Sequence, residues 1–391
     1  MGELEKMIQE LCPKGVNYIA LKEVCRFQNG FAFKSNLFKN NGKPVLRITN
    51  ILDGTLSSDN YVYFSESDYK VDFSQYKVPH GAIVVAMSGA TTGKIGYNYG
   101  DIEYYLNQRV GMFVPNTDIL DNRYLYHWLR GQRENILNIS SGTGAQPNLS
   151  SAKMMEFIIP LPPLEVQNQV VKILEVFDEY YTTLITELEH RTQQFAFYSY
   201  ELFNPRNIVH PLRSLKEMCF LEKGKTQIQQ ATAGEYPLVV TTSERKSCNS
   251  YQFDANGVCI PLVSSRGHGV ASLNHVYYQE GKFALGNILC AAIPKDTSLL
   301  NAKYLYYYFE QTKDYTIVPL MKGGANVSLH ISDLEKIKIP VPPLSEQKRI
   351  VSILSVFDDL CNDTLPAEIE ARQKQYEYYR DKLLTFKEAS V

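Results

Sequence analysis

From Val170 onward the apolar residues fall at steps of four and three: Val170, Leu174, Phe177, Tyr181, Leu184, Leu188, Phe195, Tyr198 and Leu202. Arg191 fills the one remaining seam position. This spacing predicts a long helix with a coiled-coil seam, running from Leu164 to Phe203 and about 60 Å long. A second stretch repeats the pattern through Ile350, Leu354, Phe357, Cys361, Leu365, Ile369, Tyr376, Tyr379 and Leu383, with Arg372 where Arg191 fell. One such helix cannot bury its stripe alone. The two copies are each other's natural partners, and an antiparallel pairing with a pseudo-two-fold axis is the simplest closed arrangement. The paired arginines either fix register or snorkel to solvent. Pro366 predicts a kink or a brief break in the second helix.

Just before each helix the chain writes nearly the same phrase. IIPLPPLEVQ starts at Ile158 and IKIPVPPLSEQ at Ile337. Pro160, Pro162, Pro163, Leu164 and Gln167 align with Pro340, Pro342, Pro343, Leu344 and Gln347; further on, the second copy carries one extra residue. The Pro-Pro pair ends a strand-like run, and Pro163 is expected in the first turn of the helix.

Outside the helices the pattern changes to short apolar runs of strand length: KPVLRITNI, GAIVVAMS and RVGMFVP in the first half, EYPLVVTTS, GVCIPLVSS and ILCAAIP in the second. Each set is followed by a helical stretch, RYLYHWLRG or KYLYYYFEQ. The expected architecture is mixed α/β, with two similar globular domains separated by two long helices in an antiparallel coiled coil. The expected division is 1–157 and 205–337 for the globular domains and 158–204 and 338–391 for the helical regions.

Composition removes several classes. At 391 residues and 44% hydrophobic the chain has ample core for several domains. No apolar run approaches a membrane span, and the first residues are charged, so a cytoplasmic protein without a membrane partner is expected. Seven cysteines without metal-ligand spacing read as reduced, buried thiols. Net charge is −2, but the acid is concentrated in 156–203, where eight carboxylates face two basic residues. The string SGATTGKIG is one residue short of a nucleotide-binding P-loop and has Ile95 where Ser or Thr is needed. No dinucleotide fingerprint follows a strand, and Asn204-Pro205-Arg206-Asn207 fails as an amino-methyltransferase motif. No histidine pairs with a nucleophile. The reading is a binding protein that needs no cofactor.

The same polar loops suit DNA. Hydroxyls and amides donate to phosphates, Lys and Arg supply charge, and Arg, Lys, Asn and Gln read base edges. The candidates are Ser88, Thr91, Thr92, Lys94, Gln108, Arg109, Gln146 and Asn148 in the first block. In the second they are Thr242, Ser243, Arg245, Lys246, Ser265, Arg266, His268, Lys322 and Asn326.

Two variable blocks, each closed by a string like Gly144-Ala145-Gln146-Pro147-Asn148-Leu149-Ser150, a Pro-Pro-Leu-x-x-Gln phrase and a long helix, resemble the specificity subunit of type I restriction-modification systems. The likeness covers essentially the whole chain. The second copy departs at Gly324-Ala325-Asn326-Val327-Ser328-Leu329, which lacks the Gln and Pro. The resemblance implies a non-catalytic chain whose two target-recognition domains each read half of a bipartite double-stranded DNA target. It also implies helices that set the gap and dock two methyltransferase subunits, which bring S-adenosylmethionine, with motor-nuclease subunits supplying ATP hydrolysis. The competing readings are a coiled-coil scaffold that does not bind DNA and an orphan specificity cassette.

Overall fold

The computed structural model describes residues 2–57, 59–140, 148–204, 210–265 and 269–389. It is mixed α/β and divides into two compact units, 1–183 with 369–391, and 184–368. These cut both long helices instead of falling at their ends. Each unit therefore holds one globular block, the head of the helix that follows that block, and the tail of the other helix.

In the first unit a four-stranded antiparallel sheet has the order Cys25–Asn29, Val110–Pro115, Ile83–Ala86, Ile95–Tyr97. A second sheet has the order Val62–Phe64, Lys43–Leu46, Tyr104–Leu106, Lys77–Val78, with its central pair parallel. Asn17–Ala20 pairs with Ile158–Leu161 in a separate ribbon. The second unit repeats all three. Its sheets run Cys219–Lys223, Leu289–Pro294, Gly257–Pro261, Tyr277–Gln279 and Lys246–Cys248, Tyr236–Val239, Lys282–Leu285, Phe253–Asp254, and its ribbon pairs Leu212–Ser214 with Lys338–Pro340. The central pair of its second sheet is again parallel. Strands end earlier than the apolar runs do: Lys43–Leu46 gives way to a 3-10 turn at Ile48–Asn50.

Duplication extends to single atoms. Gly30 and Gly224 lie so close to the neighbouring strand that a Cβ would overlap the carbonyl oxygen of Asn107 or Gly286. The repeated glutamine has the same task twice. Buried Gln167 donates to Ile119 O and Pro162 O, both at 2.8 Å, and accepts from Asp121 N at 2.7 Å. Gln347 bonds Leu299 O, Pro342 O and Asn301 N in the same way, all at 2.8 Å. Asp121 and Asn301 cap the helices Asn122–Gly131 and Ala302–Thr316. The phrase recurs because each block fastens its own helix to the long helix through this amide.

Leu164–Phe203 is one unbroken 40-residue helix. Pro163 stands just outside it, where its carbonyl accepts from Val166 N and Gln167 N, so its missing N–H falls outside the helical ladder. In the first unit Phe177 stacks on Tyr379 (5.1 Å) and Arg372 lies over Tyr180 (5.3 Å), so the segments run in opposite directions. In the second, Phe195 stacks on Phe357 (6.4 Å), and Leu202, Phe203, Ile350 and Leu354 share a core. Val170, Leu174, Ile350, Leu354 and Tyr376 are buried. Phe177, Tyr181, Leu184, Leu188, Arg191, Phe195, Phe357, Ile369, Arg372 and Tyr379 are half-buried. Arg191 bonds Glu187 and Gln194 along its own helix, and Arg372 bonds Gln375, so neither simply extends into solvent. At the last turns Ser199 is buried whereas Tyr198 is 43% exposed.

Pro366 does not break the second helix. Leu344–Asp359 continues through a π-turn at Leu360–Thr364 into Leu365–Leu383. The extra residue of the second copy is absorbed there, because a π-turn holds one more residue without rotating the seam.

Candidate nucleic-acid interface

In the first block three polar loops are drawn together by backbone bonds. Met87 N donates to Arg109 O and Leu149 N donates to Met87 O, each at 2.9 Å. Ser88 bridges Asn148. Thr91 Oγ1 donates to Ile48 O (3.1 Å), which adds the segment after Lys43–Leu46 to the group. The loops carrying Ser88, Thr91, Lys94, Arg109 and Asn148 thus form one frame. Gln108, Arg109 and Asn148 are exposed, and Thr91 and Lys94 half-buried.

Two candidates are out of reach. Ser88 is 9% exposed, and Thr92 is 6% exposed with its hydroxyl donating to Gly89 O at 2.6 Å. Thr92 thus closes its own turn, while the buried Ser88 hydroxyl has no hydrogen-bond partner among the described residues. Gln146 lies outside the described residues.

The second block rebuilds the frame with other side chains. Leu262 N donates to Ile288 O and Leu329 N to Leu262 O, both at 2.8 Å, and Val263 bridges Ser328. Ile288 therefore stands where the first block has Arg109, Val263 where it has Ser88, and Ser328 where it has Asn148. Thr242, Ser243, Lys246, Ser265, Lys322 and Asn326 are exposed. Lys322 also pairs with Asp333 at 3.5 Å. Arg245 is committed internally: its guanidinium donates to Gln279 Oε1, Ser243 O and Tyr278 O and lies 5.3 Å from the Tyr277 ring. Arg266 and His268 lie outside the described residues.

Sequence reasoning passed over Arg47 and Thr49. Asn107 N donates to Leu46 O as Gly286 N donates to Val239 O, so Thr49 corresponds to the candidate Thr242. Carrying the repeat through the strands would have found it. Arg47 follows directly on its strand, and one guanidinium nitrogen donates to Asn60 O at 2.9 Å.

Behind the first frame, the block is locked to its helices by a buried cluster. Arg130 pairs with Asp178 at 2.8 Å, each side chain 14% exposed, and lies 4.7 Å from the Tyr376 ring. Arg123 pairs with Glu175 and lies 4.6 Å from the Tyr97 ring. His127, fully buried, bonds Tyr376 Oη through Nδ1 at 2.8 Å. Burial, and then Arg123, Arg130 and Arg380, hold its pKa well below the usual histidine range, so it is neutral near pH 7. In the second unit Tyr307 replaces His127 and bonds Asp358 (3.1 Å). All seven cysteines are free and buried, and burial pushes the Cys25 and Cys219 thiols up to about 12.

A duplicated scaffold carrying two differently furnished copies of one polar loop frame defines a recognition protein with two separate binding blocks. Residues 13–192 and 212–371 each match the family described as type I restriction modification DNA specificity domain, and the chain belongs to that family. It is a sequence-specificity subunit of the type I restriction-modification class. A putative type I restriction enzyme specificity subunit of Haemophilus influenzae is 28% identical over 90% of this chain and 93% of its own length. A type I restriction enzyme specificity subunit of Escherichia coli is 28% identical over 68% and 70%. The S subunit crystal structure from M. genitalium shares the fold, with a TM-score of 0.61 at 17% identity over 95% of this chain and 96% of that one. Among the described residues, no helix is long and apolar enough to cross a membrane.

Proposed function

We propose that residues 1–157 read one half of a bipartite duplex target and residues 205–337 the other, while 158–204 and 338–391 set the gap and dock two methyltransferase subunits. The chain itself is not catalytic; motor-nuclease subunits complete the complex. The observation that carries this reading is the frame built twice with different side chains. The backbone holds both copies alike, while Arg109 against Ile288 and Asn148 against Ser328 give each block its own hydrogen-bonding pattern.

Docking of two copies of one partner has its own support. Each unit exposes a valine and an aromatic ring on its helix segments: Val176 (65%) and Tyr378 (61%) in the first, Val356 (58%) and Phe197 (60%) in the second. Such exposed apolar positions, repeated, suit a repeated protein contact. Replacing Val176 with Asp and Tyr378 with Ala should leave one methyltransferase subunit bound per chain, measured by native mass spectrometry. Two retained subunits would contradict the assignment.

The main test is selection from randomised duplex DNA by this chain in complex with its methyltransferase subunits. A two-part motif with a fixed gap, and affinity that falls steeply with salt as phosphate counterions are displaced, is the expected result. Binding indifferent to both sequence and salt would overturn the reading in favour of a protein scaffold.

A further inference from the structure

The two blocks differ sharply at one place. In the first, the segment between Val62–Phe64 and Lys77–Val78 is long (65–76) and supplies Tyr69, Phe73 and Tyr76 to an aromatic cluster with Phe31, Phe33 and Phe64. In the second, the matching connection is only 249–252, between Lys246–Cys248 and Phe253–Asp254. That short connection carries one aromatic residue, Tyr251, whose ring packs on Tyr236 (4.9 Å). An open cleft of about 590 Å³ stands there instead, between the loop after Cys219–Lys223 and that connection.

Two of its lining residues are apolar, Ala231 and Cys248, and both belong to a small core with Leu238, Val240 and Ala284. The two walls are joined at one end: Asn249 N donates to Thr232 O at 2.9 Å, and a Cβ on Gly234 would collide with the Asn249 backbone. The rim is polar. Gln227, Gln230 and Asn249 are exposed, and among the described residues no protein group bonds their amides. Tyr251 is 45% exposed, with the Lys282 ammonium 5.0 Å from its ring. Lys225 is exposed and pairs with Glu222, the carboxylate nearest it, while Gln252 is spent on Glu222, Lys223 O and Lys225 N.

Backbone bonds tie the cleft to the proposed DNA-reading frame. Thr226 on its wall accepts from Asn287 N at 2.9 Å, and Asn287 precedes Ile288, whose carbonyl anchors Leu262. Free amides, a partly exposed ring that also packs against Tyr236 (4.9 Å) and flanking ammonium groups are what a nucleotide needs: amides for a base edge, a ring for sugar or base-edge contact, charge for phosphate.

We propose that this cleft extends the second block's reading surface, with Gln230 and Asn249 as specificity-determining residues for a base of the second half-site and Tyr251 as its packing surface. The proposal rests on the DNA-reading function given above. The first block has no such reader, since aromatic side chains occupy the equivalent space.

The experiment compares the full chain, in complex with its methyltransferase subunits, with the Gln230→Ala/Asn249→Ala double variant and with Tyr251→Ala, by selection from randomised duplex followed by affinity on defined sites. All three positions are exposed, and unchanged thermal melts verify folding. The expected result is that the double variant loses discrimination at one or more base pairs of the second half-site, by roughly 10-fold or more, with the first half-site unchanged. Tyr251→Ala should weaken binding to the same half-site. An unchanged motif with unchanged affinity would overturn the proposal while leaving the two-block reading intact. Uniform weakening on every sequence would also overturn it, assigning the cleft to phosphate contact alone. A wild-type complex that selects no two-part motif would remove the parent reading and the proposal together.

Discussion

His127 shows how a single residue ties a block to its helix. Its Nδ1 bonds Tyr376, and Tyr126, Arg123, Arg130 and Arg380 surround it. The folded protein holds this ring neutral, whereas in the unfolded chain it takes up a proton near pH 6.5. Below that value the unfolded state binds more protons, so stability contributed by the neutral ring is present above about pH 6.5 and is lost as pH falls. The loss approaches about 1.4 kcal/mol per pH unit. Denaturant unfolding of wild type and His127→Gln between pH 7.5 and 5 checks this: wild type should lose its advantage steadily below pH 6.5. Parallel curves for the two proteins would show that the ring is not held neutral. The cluster was not legible in the chain, because Asp178 and Tyr376 are distant in sequence and only packing brings them beside Arg130. Gln167 and Gln347 stood out as a repeat, yet their task needed the positions of Ile119 and Leu299.

At the scale of elements, the helical pattern was the most readable feature because a seam spaced four and three has only one way to be buried. The π-turn at Leu360–Thr364 was not readable, although its cause, one extra residue near Pro366, was. A proline in a regular helix loses a hydrogen bond and clashes with the carbonyl four residues back, at about 3 kcal/mol. A turn that holds one more residue would relieve that clash. Deleting exposed Asn362 should therefore destabilise the chain by about that amount, and adding Pro366→Ala should restore most of it, read by thermal unfolding. Deleting Ser352, within the regular helix, turns every later seam residue by about 100° and should not be rescued by the same change. Equal damage from both deletions would argue that the π-turn does not take up the extra residue.

For the whole molecule, each unit contains a block, the head of its own long helix and the tail of the other. Replacing residues 1–157 by the corresponding block of a relative should change only one half of the selected motif. A change in both halves would mean that the blocks do not read independently. The near-neutral net charge is no obstacle, since the excess of acid over base lies in 156–203 and the polar loops lie elsewhere.

The sequence alone determined the duplication, the two helices and their seam, because periodicity and repeated proline and glutamine positions are written along the chain. Loops were named correctly as polar, but which side chains remain available was decided by tertiary structure. Ser88 and Thr92 sink into a turn and Arg245 is consumed by three acceptors, while Thr49 comes into register with Thr242 only once strands pair. Exposure depends on what packs across from a residue, and that partner is set by sheet order. The cleft in the second block is the same lesson in reverse: a connection shortened to 249–252 left a space that no local pattern announces.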